Sequence, residues 1–184
     1  GSESDNLAIF GVARLHQKHG KHIITTKVEH HAVLNPMEQL AKEGFKITFL
    51  DVDEFGRVTA EQIKKALRPD TILVSVMYAN NEIGTVEPIA DIGRMILKWR
   101  KEKNTRYPYF HSDACQAAGA LDLDVEKSHV DLMTLNGSKI YGPKGVGILF
   151  KRRDVEILPL IFGGEQEMRL RAGTENVPGI VGVA

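Results

Sequence analysis

The 184-residue sequence carries 24 Lys and Arg against 24 Asp and Glu, a formal net charge of zero, so no global field draws it toward nucleic acid or an anionic membrane surface. Hydrophobic residues at 42% and charged residues at 26% are ordinary for a soluble globular chain able to bury one sizeable core. A single cysteine forbids an intrachain disulfide and no apolar run reaches the roughly 20 residues of a membrane span, so an intracellular soluble protein is expected, in the cytoplasm or an organellar matrix.

From Ser4 to His19 the residues Leu7, Ile9, Phe10, Val12, Ala13 and Leu15 recur at helical spacing, with Gly20 as the stop. Gly1 and Ser2 precede this helix, where amides, a hydroxyl and the helix dipole favour a phosphate. His16, His19 and His22 are evenly spaced but straddle a helix end and a glycine, so they read as ordinary surface histidines rather than a metal cluster. His22 to Lys27 reads as a short strand, and the loop Glu29-His30-His31 leads into a helix from about Asn35 to Glu43. A loop at a strand's carboxyl end is where ligands bind in open α/β sheets, which makes His30 a candidate.

Phe45 to Val52 is the next strand. The Asp51-Val52-Asp53-Glu54-Phe55-Gly56 stretch imitates the opening of a calcium loop, but Phe55 occupies a ligand position and Gln62 falls where the closing Glu belongs. A turn at Gly56 and a helix capped by Thr59 fit better, with Gln62 completing a capping box and the helix ending near Leu67. Thr71 to Ala79 is a near-continuous apolar run, as expected of a strand buried on both faces, and it delivers Asn80-Asn81-Glu82. Ile89, Ile92, Gly93, Ile96 and Leu97 then form a helix face. The strand that begins at Tyr109 ends in Asp113, and Val130 to Thr134 is another apolar run. Gly145 to Lys151 closes the series, and Gly163 to Asn176 is a loop too polar for a core.

The chemistry concentrates in two places. Leu135-Asn136-Gly137-Ser138-Lys139-Ile140-Tyr141-Gly142-Pro143-Lys144-Gly145 sets a lysine in a Gly-rich loop straight after a strand, where a positioned amine can hold a carbonyl compound as a Schiff base. Gly137 and Gly142 have P-loop spacing, but Pro143 precedes Lys144 and no Ser or Thr follows to hold Mg²⁺, so that reading fails. In Tyr109-Phe110-His111-Ser112-Asp113-Ala114-Cys115-Gln116-Ala117 an acid at a strand's carboxyl end suits a pyridinium nitrogen, and Gln116 suits a phenolic oxygen. Cys115 reads as a packed small residue, with no base evident to activate it.

Together with Glu29-His30-His31-Ala32-Val33-Leu34 and Asn80-Asn81-Glu82-Ile83-Gly84-Thr85, these stretches resemble the cysteine desulfurases of the class V aminotransferase family, in order and spacing over nearly the whole chain. The resemblance implies pyridoxal 5′-phosphate (PLP) as cofactor and fold type I, with residues 1–184 as the central part of a large PLP-binding domain truncated at both ends. By the same resemblance Lys139 holds the cofactor, and His30 stacks on the ring and moves protons. Asp113 faces the ring nitrogen, while Asn81 and Gln116 sit beside the phenolic oxygen. Ser2, Asn136, Ser138 and, from a neighbouring subunit, Thr174 contact the phosphate. Asn136 and Ser138 stand where the family usually has serine and histidine. The implied reaction removes sulfur from L-cysteine, giving alanine and an enzyme persulfide for iron–sulfur cluster or thio-cofactor synthesis, with a homodimer and a sulfur-acceptor or scaffold protein as partners.

The family's nucleophilic cysteine lies on a loop downstream of the segment in hand, so the chain alone is expected to give no catalytic sulfide. Two alternatives are another class V reaction, selenocysteine lysis or transamination, and an inactive structural or partner-binding fragment. The alternation of strands and helices independently predicts a three-layer α/β domain, a mostly parallel sheet with helices on both faces.

Overall fold

The computed structural model describes residues 1–184. In chain order its elements are α1 (Ser2–His16), β1 (His22–Thr26), α2 (His31–Lys42), β2 (Lys46–Leu50), α3 (Ala60–Ala66), β3 (Thr71–Ser75) and α4 (Ile89–Lys103). They are followed by β4 (Tyr109–Asp113), α5 (Val125–Ser128), β5 (Leu132–Asn136), β6 (Gly147–Lys151) and α6 (Val177–Val181). One six-stranded sheet has the order β2-β1-β3-β4-β5-β6, parallel except for β6, which runs antiparallel to β5. No helix is long and apolar enough to cross a membrane.

Two cores flank the sheet because successive strand residues face opposite ways. Ile23, Leu73, Tyr109 and Leu132 meet α1 and α2 through Ile9, Val12, Met37 and Leu40. Their immediate neighbours Ile24, Val74, Phe110 and Met133 meet α3 and α4 through Ile63, Ile89, Ile92 and Ile96. The three expected layers are present. The sheet order reverses between β1 and β3, which opens a crevice at the carboxyl ends of those strands.

Local signals account for most element ends. Thr59 and Gln62 form the expected capping box at the start of α3. The helix α2 starts four residues earlier than its apolar spacing suggests, because His30 caps it through its own side chain, Nδ1 accepting from Ala32 N at 3.1 Å. Pro36 lies inside that helix and has no N–H for the Ala32 carbonyl. Asn6 Nδ2 donates to that oxygen instead, at 3.5 Å, tying α1 to α2. Leu97, assigned to the buried face of α4, is exposed, whereas Ile89, Ile92, Gly93 and Ile96 are buried.

The surface assignment of His16 and His22 is overturned. His16 is buried between the Tyr107 hydroxyl and the Glu156 carbonyl, both at 2.9 Å. His22 spans the sheet face from Thr71 Oγ1 (2.7 Å) to Thr48 Oγ1 (2.8 Å), and burial pulls its pKa down to about 4. Two hydroxyl partners satisfy a neutral imidazole within the sheet, an arrangement that sequence spacing does not reveal.

A buried ion pair anchors α4 beneath the functional strands. Arg100 pairs with Asp131 and donates through Nε to the Pro108 carbonyl at 2.8 Å, while Asp131 Oδ2 accepts from Phe110 N at 2.6 Å. Removing the carboxylate strands a mostly buried guanidinium and a buried amide. Asp131→Ala is therefore expected to destabilise the fold by about 3–5 kcal/mol in urea unfolding, with little change in the slope. A loss below about 1 kcal/mol would show that the pair does not hold α4 in place.

Candidate active site

Four neighbouring parallel strands, β1, β3, β4 and β5, end on the same rim of the sheet, and each is followed by one of the sequence-predicted groups. One cavity at that rim is lined by Ser2, His30, Asn81, Asp113, Gln116, Asn136 and Lys139. Asp5, Met77 and Cys115 also line it. Seven of the nine residues singled out in sequence thus share one cavity. Its floor, with Asp5, Met77 and Asp113, is buried, whereas Lys139, Gln116, Asn81 and His30 stand exposed at its mouth.

Each residue is held by a local device. Asp113 is the last residue of β4, and Cys115 N donates to its Oδ1 at 2.9 Å, fixing the carboxylate. Asn80, rather than Asn81, builds the turn after β3: its Oδ1 accepts from Glu82 N (2.8 Å) and Ile83 N (3.0 Å), and its Nδ2 donates to Val28 O (2.9 Å). That arrangement leaves the Asn81 side chain free of the turn. With Nδ1 of His30 accepting from α2, a neutral ring carries its proton on Nε2. Lys139 ends a single 3-10 turn, Gly137–Lys139, which Asn136 Oδ1 caps through Ser138 N at 3.1 Å.

The start of α1 reaches this rim because β6 begins with a glycine. A Cβ at Gly147 would stand 2.9 Å from Ser4 Oγ and 3.3 Å from Gly1 N, so a larger residue there would push Ser2 away from Asn136 and Lys139.

Two of the predicted cofactor contacts lie elsewhere. Ser138 is exposed, its Oγ engaged with Asn136 Oδ1 at 3.1 Å, and it does not line the cavity. Thr174 is exposed in the loop after β6 and is not part of the cavity within this chain. Cys115 is half-buried beside the cavity rather than sealed in the core. Burial, and then the charge of Asp113, push its thiol up, so it stays protonated and is a poor nucleophile.

Two buried carboxyls escaped the sequence reading. Asp5 lies on the apolar stripe of α1 with Ala8, Ile9 and Val12, and that placement is the signal that identifies it. Glu29 Oε1 accepts from Thr26 Oγ1 (3.0 Å) and Met77 N (2.8 Å), locking the His30 turn to the end of β3. Burial raises its pKa well above the ordinary carboxylate range, an effect reinforced by Asp113 and Asp5 and opposed by these hydrogen bonds.

Comparison with known proteins gives the arrangement its context. The family model for Aminotransferase class-V matches residues 1–184. The chain belongs to that family. The putative cysteine desulfurase IscS 1 of Bacillus subtilis is 58% identical over 100% of the chain and 46% of the relative. The cysteine desulfurase IscS of Clostridium botulinum is 55% identical over 100% of the chain and 44% of its own length. The chain spans about half the length of the curated relatives it matches. Among solved structures, a NifS-like protein superposes with a TM-score of 0.92 at 45% identity, covering 99% of the chain and 48% of the other. SspA in complex with cysteine gives 0.90 at 43%, covering 99% and 51%. The six-stranded mixed sheet with its helices is the fold of these two structures.

Because the folded Glu29 holds a proton that the unfolded chain releases above its ordinary value of 4.5, stability falls as pH rises from there toward neutrality and beyond. Glu29→Gln, which keeps the acceptor for Thr26 and Met77, is expected to make the decline between about pH 5 and pH 8 shallower in thermal unfolding. Glu29→Ala is expected to cost about 1–3 kcal/mol even at pH 5, since the Met77 amide loses its partner. Parallel pH profiles for the wild type and Glu29→Gln would contradict the protonated assignment.

Proposed function

We propose that the chain forms the cofactor-binding part of a PLP-dependent cysteine desulfurase, a reading carried by the single cavity in which a lysine amine, a strand-end carboxylate, three side-chain amides, a hydroxyl and an imidazole meet. The donor set fits PLP part by part. Lys139 offers the amine for the aldehyde carbon. Asp113, fixed by the Cys115 amide on a buried floor, offers a negative charge to a protonated ring nitrogen. Gln116 and Asn81 offer amide donors to the phenolic oxygen, while Ser2, at the start of the 15-residue α1, and Asn136 are suited to the phosphate.

When bound, PLP supplies an electron sink for carbanion chemistry at the α-carbon of an amino acid. The protein's own groups then have separable tasks. Asp113 keeps the ring nitrogen protonated. Lys139 takes and returns protons at the substrate's α-carbon, its long flexible stem letting the amine reach either side of the reacting atom. His30, at the exposed mouth and carrying its proton on Nε2, exchanges a proton with the substrate thiol or with solvent. The protonated thiol of Cys115 takes no part as sulfur acceptor, a role that falls to a thiolate on another segment or partner.

L-Cysteine as substrate is supported by the relatives named cysteine desulfurase and by the cysteine held in the SspA complex. Ser138 in place of the family's histidine leaves phosphate binding to the start of α1, to Asn136 and to Thr174 supplied across a homodimer. Iron–sulfur cluster or thio-cofactor synthesis, through an acceptor or scaffold protein, is the corresponding destination of the sulfur.

Given PLP, L-cysteine and an added acceptor thiol that takes the sulfur as a persulfide, the protein is expected to release alanine, and addition of PLP should produce a visible absorbance band that Lys139→Ala abolishes. Asp113→Asn should retain most of the PLP but lower alanine release by at least about 10²-fold, the scale of one lost electrostatic partner in the transition state. A band unchanged in Lys139→Ala would remove that residue from its role. Release of pyruvate or of a keto acid in place of alanine would overturn the desulfurase assignment.

A further inference from the structure

Asp5 has no task in the mechanism above, yet it lies against the cavity and is 1% exposed. Its Oδ1 has no hydrogen-bond partner. His111 Nε2 stands 3.6 Å from that oxygen, but the ring is already engaged, Nδ1 with Ser75 Oγ at 2.9 Å and Nε2 with Thr134 Oγ1 at 3.1 Å. His111 is wholly buried, and burial pulls its pKa down to about 4, so it offers no positive charge at neutral pH.

The other groups facing Asp5 give it little help. Asp113 and Glu29 are carboxyls and Cys115 is a protonated thiol; only the Thr134 hydroxyl and, to a smaller degree, the Gly1 amino group favour ionisation. Lys139 and His30 stand at the exposed mouth of the same cavity. A buried carboxylate with an orphaned oxygen beside a second carboxylate is strongly disfavoured, and holding a proton lowers that cost.

We propose that Asp5 is a positioning residue for the cofactor ring, neutral beside Asp113 until a cationic ring nitrogen is held there and then ionised, so that two carboxylates face one pyridinium. This deepens the PLP reading and rests on it. The step is balanced: the Asp5 O–H bond breaks, its proton passes to solvent, and the ring nitrogen keeps its own proton. Burial, followed by the charge of Asp113, pushes the Asp5 carboxyl up to about 8, so a cation has a proton to displace at pH 7.

The test is calorimetric titration of the cofactor-stripped protein with 4-deoxypyridoxine 5′-phosphate, which lacks the aldehyde and cannot react with Lys139. Measurements at pH 7 in two buffers of different ionisation enthalpy give the number of protons released. The ligand's own proton exchange is common to the wild type and Asp5→Asn, so the difference isolates Asp5. The wild type is expected to release up to one proton more than Asp5→Asn at pH 7, and the excess should vanish at pH 9, where Asp5 is already ionised. Asp5→Ser gives the same comparison if the amide is poorly accommodated.

A readout without any ligand accompanies it: the fall in stability between pH 5 and pH 8 should be shallower in Asp5→Asn, because the folded proton is held up to about pH 8 and the unfolded one is lost near 3.8. Binding with equal proton release in both proteins overturns the role of Asp5 and leaves the PLP reading standing. Failure of the analogue to bind either protein overturns both.

Discussion

The structure depends on one constraint: neighbouring parallel strands must finish on the same edge of the sheet. Because β1, β3, β4 and β5 are adjacent and parallel, His30, Asn81, Asp113 and Lys139, drawn from over a hundred residues of sequence, converge without any contact between them being required for folding. The buried Arg100–Asp131 pair and the two apolar layers fix the strands from below. Gly147 lets the start of α1 close the fourth side. Loops that carry the chemistry are thereby placed by rigid elements whose own sequences serve packing.

The same convergence has a stability cost. Asp5, Glu29 and Asp113 are three buried carboxyls, and none of them forms an ion pair with a Lys or Arg. Burial, reinforced by the charge of Asp113, raises the pKa of Asp5 and Glu29, which lowers stability at neutral pH relative to mildly acid pH. A purely structural domain gains nothing from such an arrangement. A site that binds a cation does, since clustered buried carboxyls favour a positive charge beside them.

Much of this was legible in sequence where the signal was local. The unbroken apolar run of β3, the Thr59–Gln62 capping box and the glycines around Lys139 each state their structure within a few residues. The cavity residues were recognisable because several unusual short stretches recur together in order. What remained hidden depends on partners distant in sequence. His16 and His22 looked like surface residues until Tyr107, Glu156, Thr48 and Thr71 supplied their hydrogen bonds. The early start of α2 depends on a histidine acting as a cap. Asp5 was visible in principle as a carboxyl on an apolar helix stripe, but its neighbours Asp113 and His111 lie on a strand more than 100 residues away.

The central claim is that this rim binds PLP through Lys139 rather than through any other amine near the Gly-rich loop, such as Lys144 or Lys151. Borohydride reduction of the PLP-treated protein, followed by digestion and mass spectrometry, reads the modified residue directly. The account predicts a single stoichiometric pyridoxyl adduct on Lys139. An adduct spread over exposed lysines, or one confined to Lys144 or Lys151 with Lys139 unmodified, would contradict it.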